Sequence, residues 1–247
     1  NYTLDVGVEE AFVHQFSNVN ISGINAEYGL WVKFSDGLFF QNVYANKAKI
    51  ANVFIDIEDT KRCYGFAMDG LYIDCANAIL AGSEPPYLIN EESLNGIRME
   101  TSGSGRIIYP RFTGLSIYAA REDGLRISDG CNVDHIFIDG AITNCFRYGV
   151  FAVDRTRISG SLILANNKTA LLANDEGLDI SGVAFRANGF EGSTDSASDI
   201  VINNPAFVRS ITVPNSTAAE ARLWGDLKYG TGNFSLSLGS EGSSAWA

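Results

Sequence analysis

The acidic residues offer the first chemistry. The stretch NVFIDIED alternates so that Phe54, Asp56 and Glu58 share one face of a strand. Asp74 and Glu100 stand at matching positions in two later segments, MDGLYIDCA and LNGIRMETS, each four residues after a glycine. Hydrolysis of a glycosidic bond needs two carboxyl groups ~5 to 9.5 Å apart, one of them kept protonated. Crowded carboxylates raise one another's pKa and so supply that proton. Asp56, Glu58, Asp74 and Glu100 are therefore the candidate catalytic residues. Tyr72 and Tyr118 could stack a sugar ring, and Arg98 could meet a sugar carboxylate, which makes these three the candidate substrate-binding residues. In a lyase variant, Arg98 or a tyrosine would assist proton removal. The plain alternative is a strand surface kept polar by solvated side chains, since the chain carries 29 Asp and Glu.

A rival acidic set is Asp129, Asp154 and Asp175, each just after an apolar strand in GLRISD, GVFAVD and ALLAND. Asp in a tight turn is ordinarily explained by turn chemistry. His14 and His135 have no Ser or Cys partner at a recognisable spacing. Cys63, Cys75, Cys131 and Cys145 lack zinc-like spacing and are too few to staple a chain of this size, so free, buried thiols are expected. No metal and no cofactor are expected.

What must position these residues is a repeat. MDGLYIDCA (68–76), LNGIRMETS (94–102), FTGLSIYAA (112–120), IDGAITNCF (138–146), ISGSLILAN (158–166) and ISGVAFRAN (180–188) align without gaps on Gly70, Gly96, Gly114, Gly140, Gly160 and Gly182. An apolar residue stands two before each glycine and a small polar one just before it. Five residues after it come Cys75, Thr101, Ala119, Cys145, Ala165 and Ala187, all small. Asp-Gly between two alternating runs would ordinarily suggest a hairpin. Six copies, the first five continuing into a further apolar strand (AILA, RIIY, GLRIS, GVFAV, ALLAN), argue instead for a solenoid. The expected fold is all-β, a right-handed parallel β-helix with three short strands in a coil of about 22 residues. The glycines are expected to stack along one edge. On this alignment Asp74 and Glu100 share an outward register of neighbouring coils. Phe151, Val153 and Leu171 are expected to face outward toward a partner. The leucine-rich repeat signature is absent.

This coil pattern resembles the pectate-lyase-like β-helix superfamily and, within it, the tailspike and depolymerase proteins of bacteriophages. The resemblance covers residues 20 to 204. It implies a homotrimer on a phage tail, extracellular, that binds and cleaves bacterial surface polysaccharide as a glycoside hydrolase. It also directs attention to the strand and loops that carry Asp129, Asp154 and Asp175. The paired aspartates and Gly-His-Gly of polygalacturonases are missing, as is a calcium-dependent pectate lyase signature, which disfavours a plant-cell-wall pectinase. The other functions the sequence leaves open are a non-catalytic receptor-binding or structural virion protein, and a secreted bacterial polysaccharide lyase or other monomeric enzyme.

Along the chain, 1–20 reads as an N-terminal cap, 21–204 as the β-helix, and 205–247 as a C-terminal cap or trimerisation segment. EEAFVHQF (9–16) is the best helix candidate, with an acidic first turn. SEPPYLINEES (83–93) is long enough to wall a groove. The net charge of −11, with no basic block, argues against a nucleic-acid partner. No apolar run approaches the ~18 residues of a membrane helix, and no secretory signal is read at the start.

Overall fold

The computed structural model describes residues 2–5, 14–23, 26–75, 93–152 and 157–173, and short strands up to residue 238. It is a parallel β-solenoid of about 5 turns with about 26 residues per turn, compatible with the β-helix superfamily. No helix occurs among the described residues, so none there is long and apolar enough to cross a membrane.

Two long sheets run the length of the solenoid. The nine-stranded sheet is built from β1 (Tyr2–Asp5), β3 (Tyr28–Val32), β6 (Ala51–Ile57), β9 (Asn95–Thr101) and β12 (Asp123–Ile127). It continues through β14 (Tyr148–Ala152), β16 (Thr169–Ala173), β19 (Ser198–Ile202) and β21 (Ala221–Trp224). The ten-stranded sheet takes β2 (His14–Ser22), β5 (Leu38–Asn46), β8 (Ala67–Asp74), β11 (Arg111–Tyr118) and β13 (Ile136–Thr143). It ends with β15 (Arg157–Ala165), β17 (Asp179–Ile180), β20 (Ser210–Val213) and β22 (Ser235–Leu238), while β18 (Val183–Arg186) also pairs with β15. A third sheet has only β4 (Ser35–Asp36), β7 (Arg62–Tyr64) and β10 (Arg106–Ile108). Among the described residues, three strands per coil is thus true of those coils alone. Both long sheets reach into the segments read as caps. The EEAFVHQF helix is not formed at its end, because residues 14–16 begin β2 and pair with β5; residues 9–13 lie outside the described residues.

The core is the coil interior, filled by inward residues such as Leu30, Val53, Ile97, Leu125, Val150 and Leu171 from one sheet and Leu71, Leu115 and Ile142 from the other. Leu171 is therefore a core residue and not an outward one; Leu172 is the partner of Phe151 in the outer row. All four cysteines are free and buried. Burial pushes the Cys63 and Cys145 thiols up to about 12, so they behave as small hydrophobes.

The glycine column is not as the repeat predicts. Gly70 and Gly114 do stack, both with positive φ (67° and 59°). The same row is filled one and two coils earlier by Asn42 and Asn18 (φ 54° and 56°), and the Asn42 amide donates to the Asn18 side-chain oxygen at 3.2 Å. Asn is the other residue that tolerates this left-handed bend. At each of the four positions the inward phase flips, from Met68 to Leu71 and from Phe112 to Leu115 for example. The register then slips between β11 and β13, so Gly140 pairs with Leu115, and Gly160 pairs with Ile138. A Cβ at Gly140 would lie 2.0 Å from the Leu115 carbonyl oxygen. Gly96 belongs to the other sheet altogether, in a row with Gly29, Gly124 and Gly149. There the glycines make room: a Cβ at Gly124 would lie 2.1 Å from Ile142 Cγ2. Gly182 and the strand AILA lie outside the described residues.

Candidate functional site on the nine-stranded sheet

Strand β6 carries the site because its alternation is strict. Val53, Ile55 and Ile57 enter the core, which turns Phe54 and Asp56 outward as expected. The parallel ladder then adds one outward residue per coil. Trp31, Phe54, Arg98, Arg126 and Phe151 form one row, and Asp56 and Glu100 pair in the next. Ser128 continues that second row, its backbone N–H donating to Met99 and its hydroxyl donating to Glu100 at 2.8 Å.

Aromatic rings shield this face from water. Tyr28 stacks on Phe54 with centroids 4.4 Å apart, Trp31 lies 5.8 Å from Phe54, and the Arg98 guanidinium covers the same ring. Phe54 is consequently buried despite pointing away from the core. The shielding acts on the neighbouring acid. Desolvation raises the pKa of Asp56, and the Glu100 and Glu58 charges raise it further. The nearby Trp31 ring N–H and the charge of Lys33 pull the other way without cancelling the rise. Lys33 itself lies 4.0 Å above the Trp31 ring.

Glu100 has the opposite surroundings. Arg98 donates to its Oε1 through Nε at 2.7 Å and also through Nη2, and Ser128 donates to the same oxygen. One carboxyl is thus biased toward its protonated form while its register partner accepts three hydrogen bonds. The two are carried by adjacent strands, which run ~4.8 Å apart.

Of the seven predicted residues, only Asp56, Glu100 and Arg98 come together, with Glu58 in the exposed turn beside them and paired to Lys61 at 3.5 Å. Asp74, Tyr72 and Tyr118 lie on the ten-stranded sheet, where Asp74 pairs with Tyr118. The shared register of Asp74 and Glu100 does not exist, because Gly70 and Gly96 head strands of different sheets. On that second face Tyr44 stacks on Tyr72 (5.5 Å, 14°), and Asn46 donates to the Tyr44 hydroxyl at 3.1 Å. Asp129 sits in an exposed turn after β12; Val153, Asp154 and Asp175 lie outside the described residues, as does SEPPYLINEES except for Ser93.

Sequence reasoning missed an ion network at the other end of the same ladder. The Asp123 carboxylate is fully buried and accepts from Arg126 Nη1 at 2.9 Å and Arg147 Nε at 2.8 Å; Arg147 also meets Glu122 at 2.9 Å. A signal was present. GLWV, NVFI, GIRM, GLRI, GVFA and ALLA are six copies of one four-residue unit, each carrying an outward residue third. His135, expected to lack a serine partner, has its Nε2 2.6 Å from the Ser159 hydroxyl of the next coil. Coil-to-coil partners of this sort have no fixed spacing in sequence. Among the described residues no group of three or more His, Cys, Asp or Glu side chains is placed to hold a metal ion.

No protein-family model matches this chain, and no curated protein or solved structure matches it either.

Proposed function

We propose that the protein binds a bacterial surface polysaccharide and hydrolyses its glycosidic bonds on the outer face of the nine-stranded sheet. The observation that carries this reading is the pairing of Asp56 with Glu100, one desolvated and raised in pKa, the other held as an acceptor. Asp56 is the general acid: it gives its proton to the glycosidic oxygen as the bond to the leaving sugar breaks. Glu100 either attacks the anomeric carbon or takes a proton from the water that does. The close spacing of neighbouring strands favours the first of these, a retaining mechanism with a covalent glycosyl intermediate. Tyr28 and Trp31 supply the aromatic surface for a sugar ring. The resemblance to phage tailspikes extends the proposal to a homotrimer on the virion tail, with Phe151 and Leu172 of the outer row at the subunit contact.

A second reading, binding without cleavage, is favoured by one observation. Arg98 and Ser128 already engage the Glu100 oxygen that a nucleophile would use. Reducing-end release from the capsule of a host strain decides between them. Under the hydrolase reading Asp56→Asn and Glu100→Gln abolish release and retain binding. A wild-type protein that binds capsule and releases nothing leaves the binding reading standing alone.

A further inference from the structure

We infer that the glycan accepted by this face is uncharged, an inference that rests on the glycan reading above. The face looks suited to an acidic sugar, because Lys33, Arg98, Arg126 and Arg147 all lie along it. The three arginines are already committed to acids. Arg98 donates to Glu100 through two nitrogens and covers the Phe54 ring. Arg126 is bound to Asp123 and lies 4.5 Å from the Phe151 ring centroid. Arg147 bridges Asp123 and Glu122, with Tyr148 and Phe151 beside it. Lys33 sits over Trp31, and its charge acts on Asp56.

A guanidinium binds a carboxylate through its fork of N–H groups, and Arg98 and Arg147 already use two nitrogens each on their own acids, while Arg126 uses one. To recruit Arg126 or Arg147, an acidic sugar must take it from Asp123, whose side chain has no exposure and would lose part of the pairing that offsets its buried charge. The acids beside these cations leave the ladder without a positive surplus, and the chain as a whole carries −11. A polyanion is therefore repelled at long range and meets Arg98, Arg126 and Arg147 already paired with acids. Neutral hexoses need only ring faces and hydroxyl partners, and the face has both.

The test uses matched pairs: bacterial capsular polysaccharides that contain uronic acids, arrayed in native form and after chemical reduction of the carboxylates, beside capsules that are naturally neutral. Wild-type protein is expected to bind neutral or carboxyl-reduced members, with affinity changing less than about twofold between about 50 and 500 mM salt. Preference for native acidic members, with affinity falling about tenfold or more over that range, overturns the inference and leaves the glycan reading intact. Binding to no member of either kind overturns the glycan reading itself. Glu122→Gln on the rim loosens Arg147 without touching Asp123. It is expected to raise binding of the native acidic members by about two- to fivefold relative to their reduced forms. No gain in that ratio overturns the claim that ion pairing sets the selectivity.

Discussion

The two long sheets are built from nine and ten strands of the same solenoid, yet their acids behave differently. On the nine-stranded sheet Asp56 and Glu100 are register partners beside a row of aromatic rings, and Asp123 is fully buried between two arginines. On the ten-stranded sheet the outward residues around Asp74 are Tyr72 and Tyr118, with Tyr44 beyond. Tyr72 remains 44% exposed, and its hydroxyl pKa is raised mainly by burial and then by the Asp74 charge. What separates the faces is company. A carboxyl group becomes useful when something excludes water from it and a second charge stands one coil away. The first face supplies both.

The largest expected difference between the faces is catalytic. Asp56→Asn and Glu100→Gln should each lower the rate of polysaccharide cleavage by about 10²–10⁴-fold. Asp74→Asn should leave it within about twofold. The measurement is reducing-end release, with circular dichroism to show that each variant folds. Equal losses at Asp74 would erase the distinction.

Next in size is stability. Asp123→Ala removes a buried carboxylate from two guanidinium groups and should cost about 3 kcal/mol. Asp69 accepts from Thr113 at 2.9 Å on the exposed opposite face, so Asp69→Ala should cost no more than about 1 kcal/mol. Urea midpoints at constant m-value compare the two.

A smaller effect separates the two kinds of glycine. Gly124→Ala forces a methyl group against Ile142 and should cost about 1–3 kcal/mol through overpacking. Gly70→Asn should be nearly neutral, because Asn already fills this bend in two earlier coils. Thermal melts of the two variants rank them.

These glycines also show how much was legible. Alternation and a recurring glycine disclosed a parallel solenoid, since each copy needs a neighbour to bury its inward residues. The same pattern misassigned Gly96. LNGIRMETS looks like MDGLYIDCA, but Gly96 is small to clear Ile117, whereas Gly70 is flexible to take a positive φ. One letter served two physical needs. Asn18 and Asn42 met the second need without being glycine, so the aligned copies begin only at Gly70. The coil came out near 22 residues instead of about 26, because long connections such as the one between Asp74 and Asn95 add length that the aligned copies do not contain. The site suffered the same loss. Alternation within β6 correctly turned Phe54 and Asp56 to one face. Which residue stands beside Asp56 in the next coil depends on register across 37 intervening positions, from Ile57 to Asn95, and local pattern cannot supply that.

The smallest expected effect is a pH dependence of stability that only the first face should show. Burial and the nearby Glu100 and Glu58 charges raise the pKa of Asp56 in the folded protein above its ordinary value of 3.8. Between those two values the native state holds a proton that the unfolded chain has released. Stability therefore falls as pH rises through that window, and below it the group contributes no difference. The sign is opposite to that of an acid stabilised by a salt bridge, whose contribution is lost on acidification. Asp56→Asn keeps the side-chain shape and cannot ionise, so it should match wild type near pH 3.5 and exceed it slightly at pH 7. The measurement is the difference in urea midpoint between the two proteins across that range. A gap that is constant with pH would mean that folding leaves the Asp56 pKa unmoved, and one that favours wild type at neutral pH that Asp56 is stabilised in its charged form. It would then be no proton donor, and its pairing with Glu100 would be a structural ladder like the Asp123 network.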